Sequence, residues 1–176
     1  MISKKRITLF IAAATLGFAA LKIDLFPQQR TGCAFCDAAV LDRQEVFRGE
    51  FASILLTHKA IADGHLLVIP HRHAERYEEL TGVEMREIGE LVGKAQSAAR
   101  SIFGAEEYLV LQKNGRGVGQ TVPHVHIHVI PKTADITQFG FAARIFFRPL
   151  LKPNLESQAK YISALEESAR LDGQAL

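Results

Sequence analysis

The chain has 176 residues, 48% of them hydrophobic and 23% charged, a globular mix that excludes a disordered chain and bounds it to one domain, with or without a tail. Its formal net charge is only +2. The basic surplus sits in residues 1–27, where Lys4, Lys5, Arg6 and Lys22 face Asp24 alone, so the remainder is close to neutral and a strongly basic nucleic-acid-binding surface is excluded.

In chain order, Lys4-Lys5-Arg6 precedes an apolar run from Ile7 to Leu21. A positive stretch before a short apolar core is the pattern of a secretory signal. The run is short for a spanning helix, which needs ~20 residues. Residues 1–27 are expected to be a signal peptide or a membrane-inserted signal anchor, with a surface helix packed on a partner as the alternative. An anchor would place the domain outside the cytoplasm, at the periplasmic face; a cytoplasmic chain is the other reading. Pro27 to Gly32 reads as a linker, and the Cys33-Ala-Phe-Cys36 motif follows it.

Phe51 to Leu56 and His65 to Ile69 are strand candidates, the second stopped by Pro70. Asp63-Gly64 between them signals a turn and hence a hairpin. Thr81 with Glu84 is a capping box. Behind it Ile88, Leu91, Val92, Ala95, Ala99 and Ile102 recur at helical spacing, and Gly104 ends the run. Glu107 to Lys113 reads as a strand. Asn114 to Gln120 is a loop holding Gly115, Gly117 and Gly119, and His124 to Ile130 is a strand ended by Pro131. From Glu156 to Leu171, Ile162, Leu165 and Ala169 share one helical face. Short strands, a hairpin and one long helix indicate an α+β fold with an antiparallel sheet.

The strongest chemical signal is His124-Val-His126-Ile-His128. In a strand, residues i, i+2 and i+4 share a face, so three imidazoles point one way, with neighbouring rings ~7 Å apart. One chemistry that fits is a metal site, because a His-x-His pair can share an ion. The other is covalent catalysis, with one imidazole attacking phosphorus while its neighbours orient it and handle protons. The preceding loop favours the second. Asn114, Gly119, Gln120 and Thr121 offer amides, a hydroxyl and exposed backbone N–H groups, which are donors for phosphate oxygens.

The run from Asn114 to Pro131 resembles the signature of the histidine-triad (HIT) superfamily of nucleotide hydrolases and transferases, and Gly64 to Pro70 resembles that family's second motif. The likeness spans about residues 31–135 and is to the bacterial branch; His at the third triad position departs from the uridylyltransferase pattern. It implies a five-stranded antiparallel sheet with one long helix and a C-terminal helix. It also implies a domain over residues 28–140, with residues 141–176 as a C-terminal extension.

The resemblance implies a mechanism as well. His126 would attack the α-phosphorus of a nucleoside phosphoramidate or dinucleoside polyphosphate and form a nucleotidyl-histidine that water resolves. His128 and His65 would contact the phosphate. Asn114, Gln120 and Thr121 would bind phosphoryl and bridging oxygens, and the N–H after Gly119 would stabilise charge. In the family, Asp or Asn eight residues before the second-motif histidine binds the ribose diol. Here that position is Thr57, a single hydroxyl.

By spacing alone, Cys33 and Cys36 are half a zinc site, a redox disulfide or free thiols. The resemblance completes a structural Zn2+ site with His73 and His124, with His71 as a substitute for His73, and implies no organic cofactor. It also implies a homodimer formed through the long helix and an edge strand, with a nucleotide as partner and no nucleic-acid polymer. The expected activity is therefore that of a nucleotide hydrolase. A non-catalytic nucleotide-binding module of the same fold is the alternative. A zinc-dependent redox or storage protein is a third reading, and it leaves the Asn114–Thr121 loop without a purpose.

Overall fold

The structure, a computed structural model, describes residues 32–58, 60–147 and 159–167. The leader, nearly all of the Pro27–Gly32 linker and the end of the tail from residue 168 lie outside the described residues. Among the described residues no helix is long and apolar enough to cross a membrane.

Five strands form one antiparallel sheet: β1 (Glu45–Arg48), β2 (Ala52–Leu56), β3 (Leu66–Pro70), β4 (Glu107–Gln112) and β5 (Ile127–Lys132), in the order β1-β2-β3-β5-β4. The helices are α1 (Ala38–Gln44), α2 (Gly82–Phe103) and α3 (Gln138–Phe147), and residues 159–167 are also helical. The α+β class, the hairpin and the long helix are thus as the sequence indicates.

β2 and β3 are buried along their whole length, because both faces of the sheet are covered. On one face lies α2. The Thr81 hydroxyl caps its N-terminus, the Glu84 carboxylate returns to the Thr81 N–H, and Gly104 ends it with φ 61°. Ile88, Leu91, Ala95, Ala98 and Ala99 pack on Ile54, Leu66, Val68, Ile127 and Val129. The alanines let the helix approach the sheet closely. Tyr161 and Leu165 of the C-terminal helix enter the same core. The opposite face is covered by the N-terminal segment, where Phe35 packs with Leu55, Leu67 and Ile69.

Gly64 closes the β2–β3 connection with φ 76°, and the Tyr161 hydroxyl donates to its carbonyl at 2.8 Å. A Cβ there would stand 2.6 Å from the Tyr161 hydroxyl and 2.7 Å from the Phe103 ring. Gly64→Ala is therefore expected to cost about 1–3 kcal/mol through backbone strain and crowding. Urea unfolding measures it.

Three elements escape the sequence pattern. β1 is four residues with charged ends, α1 is seven residues, and α3 leaves Phe139 and Phe146 exposed, so it lacks a clean polar face. One expectation is corrected. The histidines do not all lie within a strand, because β5 begins at Ile127. The β3–β5 register runs Leu66↔Val129, Leu67↔His128, Val68↔Ile127. Continued, it would set Val125 opposite Pro70, which has no N–H to give. The Val125 N–H donates instead to the Ala74 carbonyl at 2.7 Å. His124 to His126 thus form an extended lead-in that leaves the sheet toward the 71–75 loop. In the same way His65 precedes β3, which begins at Leu66.

Candidate active site

Backbone groups set the tautomers of His65 and His126, and His65 in turn sets that of His128. The Ile61 N–H donates to His65 Nδ1 at 3.2 Å, so His65 carries its proton on Nε2. That nitrogen lies 2.9 Å from His128 Nδ1 and donates to it, which leaves the His128 proton on Nε2. His126 Nδ1 donates to the His124 carbonyl at 2.6 Å, so its Nε2 holds an unshared pair. Rings 126 and 128 have centroids 5.0 Å apart, and rings 65 and 128 are 5.1 Å apart. They approach more closely than the strand rise predicts because they tilt toward one another. Phe35 stacks edge-on against His126 at 5.4 Å and shields it from water.

Burial keeps His126 and His65 neutral. It pushes His126 below its ordinary value, with a smaller contribution from the Lys113 cation, while the His124 carbonyl opposes the shift. Burial, then His126, lowers His65 to about 3. A sign for stability follows. Above 6.5 His65 is neutral in both folded and unfolded chains. As pH falls below 6.5, the unfolded chain takes up a proton that the folded chain refuses until about 3, so stability is lost through that window. His65→Gln is expected to flatten the decline of the urea midpoint with acid in that range.

The loop before the histidines is built on glycine. Gly115 and Gly119 have φ 113° and 88°, which favours glycine at both. Its amides also bond within the protein. Asn114 Oδ1 accepts from the Tyr77 N–H at 2.9 Å, and its Nδ2 donates to Glu78 at 2.6 Å. Gln120 Oε1 accepts from the Gly115 N–H at 2.6 Å. Its Nε2 donates to the carbonyls of Glu75 at 2.8 Å and His124 at 3.3 Å. Even the N–H after Gly119 donates to the Gly115 carbonyl at 3.2 Å. Thr121 is exposed. Thr57 is buried and stands across from His65, whose carbonyl accepts its N–H at 3.4 Å. His58 is exposed and meets Gln44. Sequence reading passed over Lys113 and Phe35. The register Gln112↔Ile127 places Lys113 beside His126, and only the sheet pairing reveals that.

Next to this centre, Cys33, Cys36, His73 and His124 converge, with their donor atoms all within 4.8 Å of one another. Cys33 Sγ is 3.3 Å from His124 Nδ1, and Cys36 Sγ is 3.4 Å from His73 Nδ1 and 3.6 Å from His124 Nδ1. Metal bonds of about 2.0–2.3 Å at tetrahedral angles set donors ~3.3–3.8 Å apart, so the set fits an ion. Both histidines are oriented from behind. His124 Nε2 donates to the Pro70 carbonyl at 3.0 Å, and His73 Nε2 faces Glu75 Oε1 at 3.7 Å, so each presents Nδ1.

Both cysteines are free thiols, and burial, then the Cys36 thiol, pushes Cys33 up to about 11. A thiolate pair there needs a cation to stabilise it. His71 is not in the cluster, because its Nε2 donates to Ser53 Oγ at 2.9 Å. Arg72 holds this loop to the start of α2 through both carboxylate oxygens of Glu84, at 2.9 and 2.8 Å.

Residues 39–135 match the family model described as the HIT domain. The chain is 36% identical over 142 residues to an adenosine 5'-monophosphoramidase of Schizosaccharomyces pombe, covering 75% of this chain and 96% of that protein. It is 36% identical over 96 residues to an asymmetrical bis(5'-nucleosyl)-tetraphosphatase of the same organism. That match covers 54% of this chain and 53% of the relative, so this chain spans about half of its length. A zinc-bound histidine triad family protein from Mycobacterium smegmatis shares the fold, with a TM-score of 0.63 at 24% identity over 81% of this chain and 97% of that one. With the paired motifs, the five-stranded sheet and the family match over residues 39–135, this chain belongs to the HIT domain family.

Proposed function

We propose that this chain is a hydrolase that cleaves nucleotides at the α-phosphorus, with His126 as nucleophile. The supporting observation is the 2.6 Å hydrogen bond from His126 Nδ1 to the His124 carbonyl, which leaves the Nε2 pair on a buried, neutral ring. Nε2 attacks phosphorus, and a phosphorus–nitrogen bond forms as the bond to the leaving group breaks. A polyphosphate departs as an anion, whereas an amine takes a proton from solvent as it goes, and the proton released later by the attacking water replaces it. The His128 Nε2–H is the donor next to the nucleophile and binds a phosphoryl oxygen. Water then attacks phosphorus, the bond to His126 breaks, and the proton of that water passes to solvent. One relative is named as a tetraphosphatase and another as a monophosphoramidase, one name for each kind of bond. In this reading the Thr57 hydroxyl binds the ribose and the exposed Thr121 binds a phosphoryl oxygen.

The same reading assigns a structural zinc ion to Cys33, Cys36, His73 and His124. When bound, it cross-links the segment around Cys33–Cys36 to the histidine lead-in and does not meet the phosphate. A homodimer through the β4 edge belongs to this reading, since Tyr108 and Val110 are exposed there. Light scattering measures the mass. The leader remains a targeting segment in this reading, and fractionation of cells expressing the full chain locates it.

The test is turnover of adenosine phosphoramidate and diadenosine tetraphosphate by the full chain beside His126→Ala. Turnover lost in the variant supports the hydrolase. Nucleotide binding without turnover, equal in both proteins, supports a non-catalytic module.

A further inference from the structure

Among the described residues, Lys113 is a cation near His126 to which the hydrolase reading gives no chemical role. We propose that Lys113 is a specificity determinant of that site, binding a phosphate of the leaving group and favouring dinucleoside polyphosphates over phosphoramidates.

Lys113 is one residue past Gln112, the last residue of β4, and Gln112 pairs with Ile127. His126 is one residue before Ile127. Carried one residue beyond the end of the ladder, this register sets Lys113 across from His126 on the neighbouring segment, with both side chains toward the same side. Lys113 is held there from both sides. The Gln112 side chain donates to its carbonyl at 3.0 Å, and Asn114 is fastened to Tyr77 and Glu78. Its cation adds a small part to the lowering of the His126 pKa, which burial dominates.

Charge balance gives it work. His128 Nδ1 accepts a hydrogen bond from His65, so that pair carries no imidazolium, and His126 must be neutral to attack. The amides of Asn114 and Gln120 are engaged with the protein. A polyphosphate therefore meets histidines that offer hydrogen bonds but no formal positive charge. Lys113 is half-buried beside them, where an ammonium binds phosphate more strongly than at an open surface. A lysine side chain is also longer than an imidazole. From the neighbouring segment of the same chain, its length suits it to a phosphate of the leaving group. A polyphosphate carries further negative charge there, and an amine does not.

The experiment compares the full chain with Lys113→Met, Lys113→Gln and Lys113→Arg, each checked for folding by thermal unfolding. kcat/KM is read for diadenosine tetraphosphate and for adenosine phosphoramidate at low and high salt. The neutral variants are expected to lose about 10–100-fold on the polyphosphate and at least about tenfold less on the phosphoramidate. Lys113→Arg keeps the preference to within about threefold, and the salt dependence of polyphosphate turnover flattens in the neutral variants. Equal losses on both substrates in a folded variant, or no loss on the polyphosphate, would overturn the assignment. If the unsubstituted chain turns over neither substrate, the hydrolase reading itself has failed. That result is visible before any variant is compared.

Discussion

His126→Ala is expected to reduce turnover of both nucleotide substrates by at least about 10³-fold, the usual scale for removing a covalent nucleophile. The size of the effect follows from how much of the site exists to serve one nitrogen. The His124 carbonyl fixes the proton on Nδ1, burial keeps the ring neutral, and Phe35 excludes water from one side. None of these can be transferred to another group when the imidazole is gone. His126 is 5% exposed and in contact with Phe35, so alanine also opens space in the packing. His126→Gln fills more of that space and is expected to be equally inactive, which separates lost chemistry from lost fold. The intermediate gives an independent reading. Brief mixing with substrate followed by an alkaline quench should add one nucleoside monophosphate to the mass of the unsubstituted chain and none to either variant. Unchanged turnover in a folded His126→Ala protein would rule out the nucleophile.

Removal of the metal is expected to have the second largest effect. The full chain should bind one zinc per chain, and strong chelation should lower its melting temperature by more than about 10 °C, since binding energy at a structural site is folding energy. The four donors come from segments far apart in sequence, so the ion closes long loops. Turnover should fall as well. The ring of His124 faces the cysteines, while its carbonyl holds the His126 proton. Cys36→Ser and His73→Gln should each weaken zinc retention measured by metal analysis. His71→Gln should not, since that ring is bonded to Ser53. A metal-free chain whose melting temperature ignores both chelator and added zinc would sink this reading.

The chemistry was legible where it depended on periodicity and local grammar. The His-x-His-x-His spacing, the capping box at Thr81 and Glu84, the glycine-rich loop and the Cys-x-x-Cys pair are each contained within a few residues. The four-residue β1 and seven-residue α1 were not legible, because neither is long enough to establish a period. The roles of Asn114 and Gln120 show a different limit. Residue type marked them as phosphate donors, and an amide beside a glycine loop is competent for that. Yet Tyr77, Glu78, Glu75 and Gly115 come close enough to use those same amide groups.

The sequence by itself determined the fold class, the histidine motif and the cysteine half of a metal site, because these follow from residue chemistry and short-range spacing; the histidine half came only from the family resemblance. Only the tertiary structure decided which nitrogen of each histidine carries the proton. It also decided that His73 and not His71 joins the cysteines, and that Lys113 stands beside His126. Each of these depends on a partner brought in from elsewhere in the chain: His65 for His128, Pro70 for His124, Ser53 for His71, and the β4–β5 register for Lys113. A proton or a metal ion is placed by the group that meets it in space, and that meeting is made by the pairing of strands and not by the order of residues.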